Sequence, residues 1–82
     1  MRVYETPGGK QYGFLPHALE RMSQRRIKRR DISHILDNYQ ASYTDRKGNL
    51  CLVGLSGENR KIRIVVAKNS DPLEILTAIV QD

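Results

Sequence analysis

Pro16-His17-Ala18-Leu19-Glu20-Arg21-Met22-Ser23-Gln24-Arg25-Arg26-Ile27-Lys28-Arg29-Arg30-Asp31-Ile32-Ser33-His34-Ile35-Leu36-Asp37-Asn38 is the stretch that decides the fold. Two periodic segments flank a basic link. In the first, Leu15, Ala18, Leu19 and Met22 fall in one apolar stripe at helical spacing. His17, Arg21 and Arg25 line up on another side at i, i+4 and i+8. Pro16 suits the first helical turn, where its missing N–H costs nothing. The spacing predicts a helix over 16–25. In the second segment Ile32, Ile35, Leu36 and Tyr39 share a face, His34 points away from it, and Asn38 reads as a terminator. That predicts a helix from about Arg29 or Asp31 to Asn38. Arg26-Ile27-Lys28 links the two, with Ile27 packing into the hairpin.

Outward from this hairpin the chain reads as strand. On the C-terminal side, residues 41–44, 50–55, 61–68 and 73–80 are apolar or alternating runs. Turn clusters separate them at Asp45-Arg46-Lys47-Gly48-Asn49, Ser56-Gly57-Glu58-Asn59 and 69–72. In 61–68, Ile62, Ile64 and Val66 take one face, and Lys61, Arg63 and Val65 the other. In 73–80, Leu73, Ile75, Thr77 and Ile79 are expected on one face. On the N-terminal side, 2–6 and 10–14 flank Pro7-Gly8-Gly9 and predict a weakly held hairpin or arm over residues 1–13. The expectation is one α+β domain over 1–82, with two short N-terminal helices packed on an antiparallel sheet of three to four strands.

Composition bounds the function. Apolar residues make up 39% and aromatics 6%, enough for a modest core in 82 residues and too much for a disordered chain. The lone cysteine, Cys51, lies in the run Leu50-Cys51-Leu52-Val53 and reads as a small buried hydrophobe. Absence of disulfides, of a secretory h-region and of a long apolar run points to a cytoplasmic protein with no membrane span. The net charge of +5 is unevenly spread: Arg21, Arg25, Arg26, Lys28, Arg29 and Arg30 fall within ten positions and no acid lies among them. Such a run signals a nucleic-acid or membrane-surface partner, or no more than a solvated turn; on the first reading Arg25, Arg26, Lys28, Arg29 and Arg30 are the candidate nucleic-acid contacts.

The acids are scattered and form no close pair of the kind that two-metal nucleases or glycosidases use. Two histidines seventeen residues apart with one cysteine make no zinc pattern. No P-loop or dinucleotide glycine fingerprint occurs. No metal and no cofactor is therefore expected. What remains is His17 with its arginines. Cleaving RNA without a metal requires a proton acceptor for the 2′-OH and positive charge for the phosphorane, roles that an imidazole and a guanidinium fill. Arg63, emerging from the non-apolar side of a hydrophobic strand, would face that histidine across the sheet. Thr77 interrupts its apolar strand face. The tyrosines Tyr4, Tyr12 and Tyr43 are available for stacking on bases, and Tyr39 is better used as core.

The segment Phe14-Leu15-Pro16-His17-Ala18-Leu19-Glu20-Arg21-Met22-Ser23-Gln24-Arg25-Arg26-Ile27, followed by Ile32 and Leu36, resembles a bacterial family, domain of unknown function 4258. The family shows a His-Ala-x-x-Arg-Met helix, then Arg-Gly-Ile, then a second short helix. Its later strands are similar to Arg60-Lys61-Ile62-Arg63-Ile64-Val65-Val66 and Ile75-Leu76-Thr77-Ala78. The resemblance, from residue 11 to the C-terminus, implies likeness to the RelE, barnase and colicin nucleases and an RNA-cleaving toxin role. It implies His17, Arg21, Arg25, Arg63 and Thr77 as site residues and an antitoxin as protein partner. One departure is Arg26, where the family often has Gly; a link that wants a positive φ is strained by Arg.

Three functions follow as expectations. The first is a metal-independent endoribonuclease using His17, Arg21, Arg63 and Thr77. The second is a non-catalytic nucleic-acid-binding module using the basic run Arg25 to Arg30. The third is an interaction domain whose exposed final strand pairs with a partner or with a second copy as a homodimer.

Overall fold

The computed structural model describes residues 1–81. Its elements are β1 (Tyr4–Glu5), β2 (Gln11–Phe14), α1 (Pro16–Gln24), α2 (Arg29–Asn38), β3 (Ala41–Thr44), β4 (Leu50–Leu55), β5 (Lys61–Val66) and β6 (Leu73–Val80). The β-branched and apolar run of β5 pairs antiparallel with β4 on one side, from Leu50↔Val66 to Leu55↔Lys61, and with β6 on the other. The alternation in β5 is as expected: Ile62, Ile64 and Val66 are buried under the helices, and Arg63 and Val65 take the opposite face. Leu52, Ile75 and Ala78 complete the inner sheet layer, and Ala18, Met22, Ile27, Ile32, Ile35 and Leu36 meet it from the helical side.

The α+β class holds, but the sheet is larger and mixed. Six strands run in the order β1-β2-β6-β5-β4-β3, and β2 pairs parallel with β6 through Tyr12↔Leu73, Gly13↔Glu74 and Phe14↔Ile75. The expectation of three to four antiparallel strands counted only the C-terminal meander. The N-terminal hairpin enters the same sheet, so the helices are inserted between strands rather than leading them. Tyr12 is 1% exposed, and Tyr4, Tyr12 and Phe14 pack ring to ring at 5.5–5.9 Å. Burial removes Tyr12 from any stacking role.

The hairpin is also tied to α2. The Thr6 hydroxyl donates to Asp37 Oδ1 and the Gly8 N–H to Asp37 Oδ2, each at 2.8 Å. Tyr12 and Ser33 share a hydroxyl–hydroxyl hydrogen bond, and Lys10 Nζ donates to the Leu36 carbonyl. At the other end of the sheet α2 lies close over β4 because Gly54 has no side chain. A Cβ there would sit 3.1 Å from Ile35 Cγ2 and 3.4 Å from the Tyr39 Cα.

Two further expectations are corrected. β6 is no edge strand: β5 covers one side, and β2 then α1 cover the other, so pairing through an open final strand has no geometric basis. The sheet edges are β1 and β3, and every residue of β3 is exposed. Tyr39 is 44% exposed rather than core, because α2 ends at Asn38 and the chain turns extended at Tyr39. Asn38 terminates α2 through its side chain, whose Nδ2 donates to the His34 carbonyl at 2.9 Å.

Candidate functional site

Pairing of β2 with β6 stops at Ile75, and α1 takes over from there. The Leu15 N–H donates to the Ile75 carbonyl at 3.2 Å, and Arg25 Nη1 donates to the Ala78 carbonyl at 2.7 Å. Fixed at both ends, α1 runs alongside β6 in the same sense. It is turned further toward the arginine side than its apolar stripe predicts. Arg21 and Arg25 are half-buried while Leu19 is 51% exposed. The carbonyl of Ala78 is the cause, since a backbone acceptor freed by the end of β2 pairing requires a donor and Arg25 reaches it. On the same ridge, Arg21 Nε donates to His17 Nε2 at 3.2 Å. A guanidinium has no acceptor to offer, so Nε2 is the acceptor in this contact.

The link after α1 closes with a C-cap in which the Ile27 N–H returns to the Met22 carbonyl at 2.9 Å and the Arg26 N–H to the Ser23 carbonyl at 3.3 Å. This pattern places the residue after the cap in the left-handed region. Arg26 occupies it at φ 55°. The link thus keeps the conformation glycine favours and bears the strain. Arg60 braces it, donating from Nη1 to the Arg25 carbonyl at 3.1 Å and from Nη2 to the Arg26 carbonyl at 2.7 Å, with Asp31 3.8 Å away. Asp31 in turn accepts from the Lys28 N–H at 2.9 Å at the start of α2. Arg26, Lys28, Arg29 and Arg30 are exposed, and the Arg29 guanidinium lies 4.3 Å over the Tyr4 ring.

Arg63 and Thr77 lie on the sheet face away from the helices. Thr77 arrives there through a β-bulge. Val65 pairs with Thr77 and Val66 with Ile75, leaving Leu76 as the extra residue. The bulge inverts the alternation of β6. Leu73 and Ile75 face the helices, but Thr77 and Ile79 face outward, while Ala78 is buried among the helices. The expectation that Leu73, Ile75, Thr77 and Ile79 share one face therefore fails at Leu76. On the outer face Arg63 pairs with Ile79, one diagonal step from Thr77. Arg63 Nη1 donates to the Tyr43 hydroxyl at 3.2 Å, and its buried Nε has no partner among the described residues. The Tyr43 hydroxyl, ahead of the opposing effect of burial, holds the Arg63 guanidinium above its ordinary value.

The residues named from sequence thus form two groups on either side of β6. His17 and Arg21 touch on the α1 ridge, beside the β6 segment that starts at Leu76. Arg63 and Thr77 share the outer face, and Arg63 does not face the helix-borne histidine. Arg25 Nη1 is engaged with the sheet backbone. Tyr43 was named for stacking on bases and not for its contact with Arg63, and Arg60 was not named as a site residue. Tyr43 is legible only through its register opposite Cys51, and Arg60 carries no local signal for its partners across the fold. Among the described residues no cluster of three His, Cys, Asp or Glu side chains is placed to hold a metal, and no helix is long and apolar enough to cross a membrane.

The fold and these groups define a class: a small α+β domain whose mixed six-stranded sheet carries a helical hairpin on one face and Arg63 with Thr77 on its bulged second face. Residues 14–80 match the model of the family described as Domain of unknown function (DUF4258), and the chain belongs to that family. No curated protein and no solved structure matches the chain.

Proposed function

We propose that this domain cleaves RNA by proton transfer through His17. The supporting observation is the bulge at Leu76. It turns Thr77 onto the face of Arg63, at the stretch of β6 where β2 has ended and the His17–Arg21 ridge begins. Bulges recur beside active sites because they re-aim one side chain without breaking the sheet. In this reading an RNA phosphate sits across the β6 rim. Arg21 leaves His17 to grip a non-bridging oxygen, which frees Nε2 to take the proton of the 2′-OH. The 2′-oxygen attacks phosphorus, the P–O5′ bond breaks, the 5′-oxygen takes back the proton that His17 Nε2 had accepted, and a 2′,3′-cyclic phosphate remains. Arg63 and Thr77, on the outer face of the sheet, hold the adjoining stretch of the RNA backbone. A toxin role, with an antitoxin covering the bulged face, belongs to the same reading.

The test is cleavage of an end-labelled mixed-sequence RNA in excess EDTA, beside His17→Ala. The expected outcome is cutting by the parent and a loss of about 10²-fold or more in the variant. Equal cutting by both, or cutting that appears only with added divalent metal, removes the proposal.

A second reading rests on the exposed link. Arg26, Lys28 and Arg30 form no ion pair among the described residues and would suit a binding-only contact with nucleic acid. Affinity would then fall steeply with salt and survive His17→Ala.

A further inference from the structure

Beyond the β6 rim, α2 and the N-terminal hairpin enclose a separate cleft. Its volume is about 400 Å³, and its walls include Glu5, Tyr12, Arg30, Ser33, His34 and Asn38. The walls are fixed. The Tyr12–Ser33 hydroxyl pair joins strand to helix across the floor. Asp37 holds the 6–8 turn at the mouth, each of its carboxylate oxygens accepting one donor from that turn.

The side chains presented to this space are unspent. Arg30 and His34 stand one turn apart on α2, both exposed, and neither forms an ion pair among the described residues, although the Asp37 carboxyl in the same lining feels the charge of His34. His34 Nδ1 is turned toward Asn38 Nδ2 at 3.5 Å, which leaves Nε2 open. A guanidinium fork with an imidazole beside it matches the oxygens of a phosphate. Across the cleft the Glu5 carboxylate is an acceptor suited to a sugar hydroxyl, and the Asn38 amide oxygen, one turn beyond His34 on α2, is a second. The space is larger than a phosphate requires and lies in the range that holds a small organic ligand.

We infer that this cleft binds a ribonucleoside phosphate, with the phosphate on Arg30 and His34 and the ribose hydroxyls toward Glu5 and Asn38. The site needs no chemistry at His17 and is separate from the proposed cleavage site. The ligand is either a free nucleotide or the phosphorylated 5′ end of an RNA chain.

Nitrogen–proton NMR titration of the whole chain tests it with three probes: adenosine 5′-monophosphate, a 5′-phosphorylated RNA hexamer and inorganic phosphate. Binding should shift the amides of Ser33, His34 and Asn38. Arg30→Glu and, separately, His34→Ala should each weaken the nucleotide by about tenfold or more, with an unchanged unfolding midpoint showing that the fold is kept. A hexamer tighter than the mononucleotide identifies the RNA end as ligand, and equal affinities identify the free nucleotide. Shifts confined to α1 around His17, no saturable shift, or affinity unchanged in both variants overturns the inference. Inorganic phosphate binding as tightly as the nucleotide overturns its nucleoside part. His17→Ala separates the two sites: it should abolish cleavage and leave the cleft shifts intact.

Discussion

The helices α1 and α2 are close to equal in length, each carries one histidine and each carries arginines, yet they use their charge in opposite ways. On α1 the cations are turned inward. Arg21 is given to His17 and Arg25 to the rim of β6. On α2 and the link before it they are turned outward, with Arg26, Lys28 and Arg30 exposed and Asn38, not a cation, closing the helix. The difference comes from what lies beside each helix. α1 borders a strand whose ladder has run out, and an unpaired carbonyl there recruits a donor. α2 packs over β4, a strand already paired on both sides, so nothing beneath it calls for a cation.

The largest expected effect sharpens this contrast. Arg25→Ala leaves the Ala78 carbonyl without its donor and should cost about 2 kcal/mol, whereas Arg30→Ala should change stability by less than about 0.5 kcal/mol. Urea unfolding of both variants checks it, and equal losses would break the contrast. Next in size is Arg26→Gly. The left-handed φ of 55° favours glycine, and relief of strain should outweigh the added freedom of the unfolded chain by about 0.5–1 kcal/mol. A fall in the unfolding midpoint would show that the Arg26 side chain has an unrecognised role.

The smallest effect concerns Asp37, which joins α2 to the hairpin. Its hydrogen bond from Thr6, then that from Gly8 and the charges of Lys10 and His34, hold its carboxyl below the ordinary value of 3.8 against the opposing effect of desolvation. A carboxyl lowered in the folded state contributes stability that is present above its unfolded value and is lost as pH falls through the folded one. The parent should therefore lose stability below about pH 4, and Asp37→Asn should flatten that part of the pH profile. An unchanged acid limb in the variant would remove Asp37 from the account.

What was legible in the sequence follows the range of the interaction that sets it. The helices and the strands from Ala41 onward announce themselves because periodicity and turn residues are local. The contact of Arg21 with His17 was readable in the same way, as an i, i+4 pair. The parallel pairing of Tyr12–Phe14 with Leu73–Ile75 was not, because it joins the two ends of the chain and leaves no local pattern. The bulge was hidden for another reason. Leu76 lies in a run of apolar residues, so either phase of alternation fits the letters, and only the register with Val65 and Val66 decides between them. That register determines which side of the sheet Thr77 and Arg63 share. The rotation of α1 that exposes Leu19 was equally invisible, since its cause is a carbonyl on another strand.

The placement of β6 has a consequence for how the chain is made. The strand that lies at the centre of the sheet is the last of its elements to be synthesised. While residues before Leu73 are emerging, β2 has no neighbour but β1, the free side of β5 is bare, and α1 has no rim to lie against. Hairpins within 41–66 can close early, because their contacts are near in sequence. The join between the N-terminal hairpin and the rest must wait for Ile75, and Arg25 for Ala78. Assembly of this domain is thus gated at its C-terminal end. A chain halted short of β6 would present Ile62 and Ile64 beside an open strand edge, the condition under which β-rich intermediates associate with one another.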